Sequence, residues 1–330
     1  MTERPVWFLH ITHQGRSGVG EVAPIRGLSP DILEDLFDEL NRISVELLKV
    51  TVPTSLEAVF QLAKTLTSPA FPSVRFGLEM TLLDWLNGGK HHFFDNSFAH
   101  GKQTIPINGL VWMSGKTDMI RQIDEKLAAG YTCIKLKVGA LDFEEELALL
   151  RHLRSLAPDV TIRLDANGAF ETNEALARLK KLAEFDIHSI EQPIAPRQSV
   201  AMQLLIEKSP IPIALDEELI DVRGSAKGSF LDELKPSFIV LKPTLLGGFA
   251  ETKEWIQLAE SRNIGWWITS YLESNIGLNA IAQFTGNYPV ELPQGLGTGA
   301  LYSNNFDSPL AINYGQLGYR LDGKWDDPFS

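Results

Sequence analysis

At 330 residues, with 44% hydrophobic and 22% charged side chains, the chain is long enough for one large α/β barrel with additions or for two domains, and its composition argues against disorder. A formal net charge of −12 argues against binding nucleic acid or an anionic membrane surface. It leaves room for a small anionic substrate, because a local cation and a few lysines dominate the field inside a pocket.

The single cysteine, Cys133, rules out an internal disulfide framework and suits a reducing cytoplasm, where it packs within a strand. The opening residues carry no signal-peptide core. No apolar run approaches the ~20 residues that span a bilayer. A soluble, cytoplasmic protein without membrane or nucleic-acid partners is the expectation.

In chain order, residues 6–12 read as a strand and Gly15 to Gly20 as a flexible hairpin or loop. Residues 31–48 are amphipathic at helical spacing, with Ile32, Leu36, Leu40, Ile43 and Leu47 on one side. Residues 55–66 read as helix behind the N-cap Ser55. A strongly apolar helix opens near Phe71, keeps Val74, Leu78, Leu82 and Trp85 in phase, and stops at Gly88 and Gly89. Strands followed by helices without alternation predict an α+β capping domain over 1–102.

Alternation begins at residues 104–111, the expected first barrel strand, followed by a helix over 117–129. Helices also fit 143–156, 173–184, 199–208, 248–262 and 276–284, with a short one at 226–234. A last, weak strand signal covers 290–292. The tail 308–330 is expected to return to the cap, which leaves 103–307 as the barrel domain.

Between these helices, apolar runs end on polar residues at a regular interval. Lys137, Asp165, Glu191, Asp216, Lys242 and Ser270 follow one another every 25 to 28 residues. That is the length of one strand, a crossover helix and two loops. Units of this kind close into a parallel barrel whose reactive groups gather at the C-terminal strand ends. Strand alternation puts Lys135 on the same face as Lys137.

Singly, each polar residue has a bland explanation: Asp165 as a helix cap, Glu191 as part of a loop, Lys242 as a solvated strand end. Their equivalent positions in consecutive units favour a common site. Asp165, Glu191 and Asp216 brought together would repel and take raised pKa values unless a cation sat between them. Three hard oxygen ligands without His or Cys favour Mg²⁺ over zinc, with Mn²⁺ able to substitute. Lysines at 135, 137 and 242 add a base and a second cation. A neighbouring ammonium, a metal ion and partial burial are what let a lysine act as a base near neutral pH. The metal would stabilise the enediolate formed as a proton leaves the carbon beside a carboxylate.

The series Lys-x-Lys, Asp, Glu, Asp, Lys on successive strands behind an α+β cap resembles the enolase superfamily, in its muconate lactonizing enzyme subgroup. The resemblance covers nearly the whole chain. It implies an α/β fold, a modified TIM barrel of (β/α)7β form with a capping domain. It implies Asp165, Glu191 and Asp216 as Mg²⁺ ligands, Lys137 as general base and acid, Lys135 as its support, and Lys242 as the cation on the opposite face. No strand-seven His occurs as in mandelate racemases, and residues 295–302 lack the Asp-x-Asp of dipeptide epimerases.

Three stretches, 20–29, 268–279 and 295–299, are similar to those of the o-succinylbenzoate synthase family. They imply syn dehydration of 2-succinyl-6-hydroxy-2,4-cyclohexadiene-1-carboxylate to o-succinylbenzoate in menaquinone biosynthesis. Racemisation of N-succinylamino acids, or dipeptide epimerisation, is the alternative within the superfamily. A non-catalytic barrel that binds an acidic metabolite is the alternative outside it, and three intact lysines weigh against that.

Five further residues are expected at the substrate. Asn167 shares the inward face of Asp165, and Ser270 ends the seventh strand toward the succinyl group. Gly297 and Thr298 either donate backbone N–H groups to a carboxylate or simply form a turn. Arg16, among glycines, is expected on a lid from the cap. Glu273 and Ser274 either join the site or fix its loop. The seven histidines have no metal-ligand spacing and are taken as structural or surface residues. Trp266 and Trp267 are taken as core, with one ring toward the pocket.

Overall fold

The computed structural model describes residues 4–326, so the outermost residues of the two terminal spans named above lie outside it. Strands β1 (Trp7–His13) and β2 (Arg16–Val22) pair antiparallel around a turn in which Gln14 and Gly15 take φ of 50° and 73°. Of the hairpin or loop expected over Gly15 to Gly20, the hairpin is what forms, and all but its first residue belong to β2. Its glycines answer to packing. A Cβ on Gly18 would stand 2.2 Å from the Thr81 carbonyl oxygen, and one on Gly20 would stand 2.0 Å from that of Gly77. The strand lies almost on the backbone of α3 (Pro72–Leu86), a helix buried all round from Pro72 to Trp85.

Two amphipathic helices, α1 (Leu36–Leu47) and α2 (Leu56–Leu66), precede α3. Ser55 caps α2 as expected, accepting from the Ala58 amide. The first of them starts at Leu36 and not at 31, because Asp31 has another task. Its carboxylate accepts from the Ser73 amide (3.1 Å) and hydroxyl (2.6 Å) in the first turn of α3.

The expected first barrel strand serves two sheets. β3 (Ile105–Pro106) pairs antiparallel with the tail, where β11 (Leu310–Asn313) and β12 (Gln316–Tyr319) form a hairpin. β4 (Gly109–Val111) opens the barrel sheet. Seven parallel strands then follow in spatial and chain order: β4, β5 (Cys133–Lys137), β6 (Thr161–Asp165), β7 (Ile187–Glu191), β8 (Ile213–Leu215), β9 (Phe238–Leu241) and β10 (Gly265–Ile268).

Crossover helices cover them: α4 (Lys116–Ala128), α5 (Phe143–Leu156), α6 (Ala175–Leu182), α7 (Ser199–Lys208), α8 (Ala226–Leu234), then the short α9 (Pro243–Leu246) with α10 (Phe249–Glu260), and α11 (Asn275–Thr285). This is the enolase-type modified barrel.

The closing segment is shorter than the pattern suggests and lies at Gln294–Gly295, beyond the predicted 290–292. Gln294 bridges Ile107 and Gly295 bridges Thr269, both in parallel sense. The amide of Gln294 donates to Pro106 (2.8 Å) and that of Gly295 to Ile268 (2.8 Å). Inside the floor, the Arg163 guanidinium lies 3.9 Å from the Trp267 ring and donates to the Pro293 carbonyl (2.6 Å). Trp267 therefore packs in the barrel interior beneath the cleft. Trp266 stacks edge-on against Tyr288.

Cap elements are bolted to barrel helices through buried carboxylates. Glu21 of β2 accepts from the Ser274 amide (2.8 Å) and hydroxyl (2.6 Å) and the Gly277 amide (2.9 Å) at the start of α11. Glu79 of α3 accepts from the Phe249 amide (2.5 Å) at the start of α10. Burial pushes the Glu79 carboxyl up from 4.5 to about 8 despite these amides. The fold thus favours its protonated form. Its stabilising contribution is full below the ordinary glutamate range and is lost as pH rises through about 8. In urea titrations, wild type should gain stability relative to Glu79→Gln as pH falls from 8 toward 5. A pH-independent difference between the two would contradict this.

Candidate active site

The inward positions of β5 to β9 carry the charged residues, because period-two alternation points every second side chain at the barrel axis. Lys135 and Lys137 project from β5, and the strand register sets Lys137 beside Asp165 and Asp165 beside Glu191. Asp216 and Lys242 follow β8 and β9 directly. All six converge.

The Lys135 ammonium lies 2.9 Å from the Asp165 carboxylate and 2.5 Å from that of Glu191. Lys137 donates to Asp165 (2.7 Å) and to the Asn167 side-chain oxygen (2.6 Å). Lys242 donates to Asp216 (2.5 Å). Asp165, Glu191 and Asp216 are all buried.

The electrostatics follow from this crowding. Burial raises Asp165, but the ammonium groups of Lys135 and Lys137 outweigh it and hold the carboxyl far below its usual range. Glu191 is pushed up to about 7 by burial, and Asp165 and Asp216 add to the push against the pull of Lys135. Burial pulls Lys135 and Lys242 down, yet their carboxylate partners win and hold both above the usual lysine range. For these two lysines the salt bridges dominate over burial.

Among the described residues no three carboxylate, His or Cys side chains already enclose a metal position. The ammonium groups draw the carboxylates toward themselves instead. The donor set nevertheless fits a hard divalent cation: three carboxylates from adjacent strands, with the buried Oε1 of Glu191 lacking any hydrogen-bond partner.

A cleft of about 600 Å³ opens over these groups. Lys135, Lys137, Asp165, Asn167, Lys242, Ser270, Gly297 and Thr298 line it, and Glu191 and Asp216 lie behind its wall. The Ser270 and Thr298 hydroxyls bond each other at 2.6 Å. Arg16 is not brought to the site. It sits exposed at the hairpin tip, while the cap reaches the cleft through Ile25, Gly27, Leu28, Ser29 and Pro30, beyond the other end of β2. A strand of that length separates the two by roughly 20 Å.

Glu273 holds the loop after β10, accepting from the Tyr271 amide (2.6 Å) and from the Thr244 hydroxyl of α9. Ser274 caps α11. Both therefore fix the loop.

Several lining residues escaped the sequence reading. Leu110 pairs with Lys135 in the sheet, so Leu110, and Trp112 two residues on, share the inward face. Extending the alternation of β5 to its neighbour is the signal that finds them. Glu217, next to Asp216, accepts from the Asn167 amide group at 3.0 Å and is raised by burial and by Asp216. Its place in the Asp-Glu-Glu run was the available clue. Tyr271, buried with Ile25 and Leu245, lies in the stretch 268–279 singled out above, with nothing in the sequence to mark it from its neighbours.

Comparison with known proteins agrees with this geometry. Residues 118–318 match the family described as enolase C-terminal domain-like. The chain is 45% identical to the o-succinylbenzoate synthase of Desulfotalea psychrophila, over 96% of this chain and 93% of that one. The crystal structure of MenC from D. psychrophila LSv54 superposes with a TM-score of 0.89 at 44% identity, covering 96% of this chain and 94% of that chain. A shorter match, 35% identical over 48% of this chain and 42% of the relative, is to the N-succinylamino acid racemase of Thermus thermophilus. With carboxylates and lysines gathered at the mouth of a parallel barrel and near-full-length similarity behind them, the chain belongs to the o-succinylbenzoate synthase family of lyases within the enolase superfamily.

Proposed function

We propose that this protein is a Mg²⁺-dependent o-succinylbenzoate synthase of the cytoplasm. It would carry out the syn dehydration of 2-succinyl-6-hydroxy-2,4-cyclohexadiene-1-carboxylate in menaquinone biosynthesis. The observation that carries the reading is the gathering of Lys137, on β5, and Lys242, directly after β9, in one cleft with Asp165 in its lining and Glu191 and Asp216 buried behind it. Asp165, Glu191 and Asp216 would hold the cation, which when bound supplies Lewis-acid stabilisation of negative charge on the substrate carboxylate.

In this reading Lys137 takes the proton from the ring carbon beside the carboxylate, and the C–H electron pair moves into the carboxylate. When that pair returns to form the new ring double bond, the C–O bond to the hydroxyl breaks. The same Lys137 ammonium gives its proton to the leaving oxygen, so water departs and the ring becomes aromatic. Asn167 and Asp165, both bonded to Lys137, aim its amine. Lys242 offsets the developing charge from the other face. Apolar walls from Leu110, Trp112 and Leu245 suit a carbocycle.

Racemisation of N-succinylamino acids is the second reading, favoured by the partial similarity to the Thermus enzyme and by the same two opposed lysines. An assay for o-succinylbenzoate formation run beside N-succinylamino acid racemisation separates the two. Racemisation without aromatisation would overturn the first.

Two predictions follow from the assigned roles. A chelator should abolish turnover and added Mg²⁺ should restore it; full activity of Asp216→Ala with chelator in excess would sink the metal assignment. Lys137→Ala should lose dehydration by about 10²–10⁴-fold or more, since it removes two proton transfers. Lys242→Arg keeps its charge but not its capacity to exchange protons. It should retain part of the dehydration and lose all racemisation. Dehydration that survives Lys137→Ala and vanishes in Lys242→Arg would put the base on the other face.

A further inference from the structure

The three cleft lysines are committed to carboxylates at 2.5 to 2.9 Å, and the Ser270 and Thr298 hydroxyls share one hydrogen bond, which leaves a single O–H of the pair free to donate. Buried polar side-chain atoms without a partner that line the cleft are, among the described residues, Asn108 Oδ1, Glu217 Oε2 and the Tyr271 hydroxyl. The first two are acceptors as they stand. Tyr271 is the donor. Its side chain is 6% exposed and packs with Ile25 of the cap and Leu245 of α9, and its ring centroid lies 5.9 Å from the Lys242 nitrogen. The Ser29 hydroxyl of the cap loop, which accepts from the Ile25 amide (2.8 Å), is the one side chain close enough to interact with it, and falls short of full hydrogen-bond geometry.

The residue is also held rigidly. Its amide donates to Glu273, its carbonyl accepts from Arg4 at 2.6 Å, and Leu272 beyond it is fixed at φ 60°. A rigid, buried and unpaired donor in a cleft wall is arranged for a ligand acceptor, since its burial otherwise costs free energy with no return.

We propose that the Tyr271 hydroxyl, at the seam between cap loop and barrel, donates to the carboxylate at the far end of the substrate's succinyl arm and sets specificity for it. This rests on the o-succinylbenzoate synthase reading, in which the substrate carries two carboxylates. The ring carboxylate goes to the base of the barrel, where the charged groups are. The distal one needs a donor of its own, and a neutral hydroxyl fixed on the wall beside the cap supplies it.

Tyr271→Phe keeps the ring, its packing and its contact with Lys242, and removes only the donor. Calorimetric titration of wild type and variant in Mg²⁺ with two probes tests the idea. One is o-succinylbenzoate; the other is 2-butyrylbenzoate, which has a methyl group in place of the distal carboxylate. Wild type should bind the first more tightly. The variant should lose about 10- to 100-fold for o-succinylbenzoate, the worth of one hydrogen bond to a charged group, and little for 2-butyrylbenzoate. Its melting temperature should be equal to or above that of wild type, because an unpaired buried hydroxyl has been removed.

Equal losses for both probes, as when the hydroxyl merely holds a water, would overturn the proposal. So would no loss for either, or a fall in melting temperature that accounts for the weakening. Wild-type turnover is measured in parallel. A turning-over enzyme whose Tyr271→Phe variant discriminates the probes as strongly as wild type removes this inference alone. A wild type that neither turns over nor prefers the dicarboxylate removes the reading beneath it as well.

Discussion

The structure depends on charge compensation at the mouth of the barrel. Three carboxylates on adjacent strand ends are buried, and each faces an ammonium group: Lys135 is shared by Asp165 and Glu191, and Lys242 serves Asp216. Such charges tolerate burial only when paired. The pairing is asymmetric. Asp165 touches two lysines and is driven strongly toward ionisation, while Glu191, facing two other carboxylates, is driven the other way. Glu191, raised in this way, is also the one with an unpaired buried oxygen. A bound divalent cation would relieve both conditions at once, which ties the electrostatic imbalance to the metal assignment.

The cap is held by the same physics in a different place. Glu21 and Glu79 reach from cap elements to the exposed amides at the starts of α11 and α10, where four backbone donors lack helical partners. Arg75 joins them with a 3.4 Å contact to Glu251. These contacts fix the cap sheet against the barrel on the outside of the helices. The cap loop that continues from β2 is thereby carried over the cleft. Because Glu21 caps the helix that follows the Tyr271 loop, the anchoring of the cap and the shape of the distal wall are set by one local structure.

Much of the barrel was legible because its periodicities are rigid. A βα unit cannot be much shorter than the 25 to 28 residues that separate Asp165, Glu191 and Asp216 from their neighbours, and strand alternation places Lys135 with Lys137. What was not legible depends on contacts between distant segments. Gly18 and Gly20 look like loop flexibility in one dimension, and become packing requirements only when α3 lies against them. Asp31 resembles the start of a helix until Ser73 is found to use it. The closing strand defeats a periodic reading because it is reduced to two bridged residues, held in place by neighbours on both sides. Arg16 was misplaced for a related reason: a glycine-rich tip and a pocket lid share composition, and only the direction of β2 distinguishes the two ends.

The difference between dehydration and racemisation is narrower than the difference in products suggests. Both begin with loss of a proton beside a carboxylate held at the same carboxylate cluster, and both find lysines on either side of the plane. What separates them is where the second proton goes. In dehydration it must reach a leaving oxygen on the face from which the first was taken, so one lysine that cycles between amine and ammonium is sufficient. Lys137 has the partners for that cycle: Asp165 accepts from its ammonium, while Asn167 offers a neutral acceptor that does not hold the charge as tightly. Lys242 lies against Asp216 with Glu217 and Asp165 adding to the field, and is held as a cation more firmly than its burial alone would allow. The two lysines are therefore paired differently, Lys137 sharing its ammonium between a carboxylate and a neutral amide and Lys242 donating to a carboxylate, an asymmetry that would suit a one-base dehydration better than a two-base racemisation.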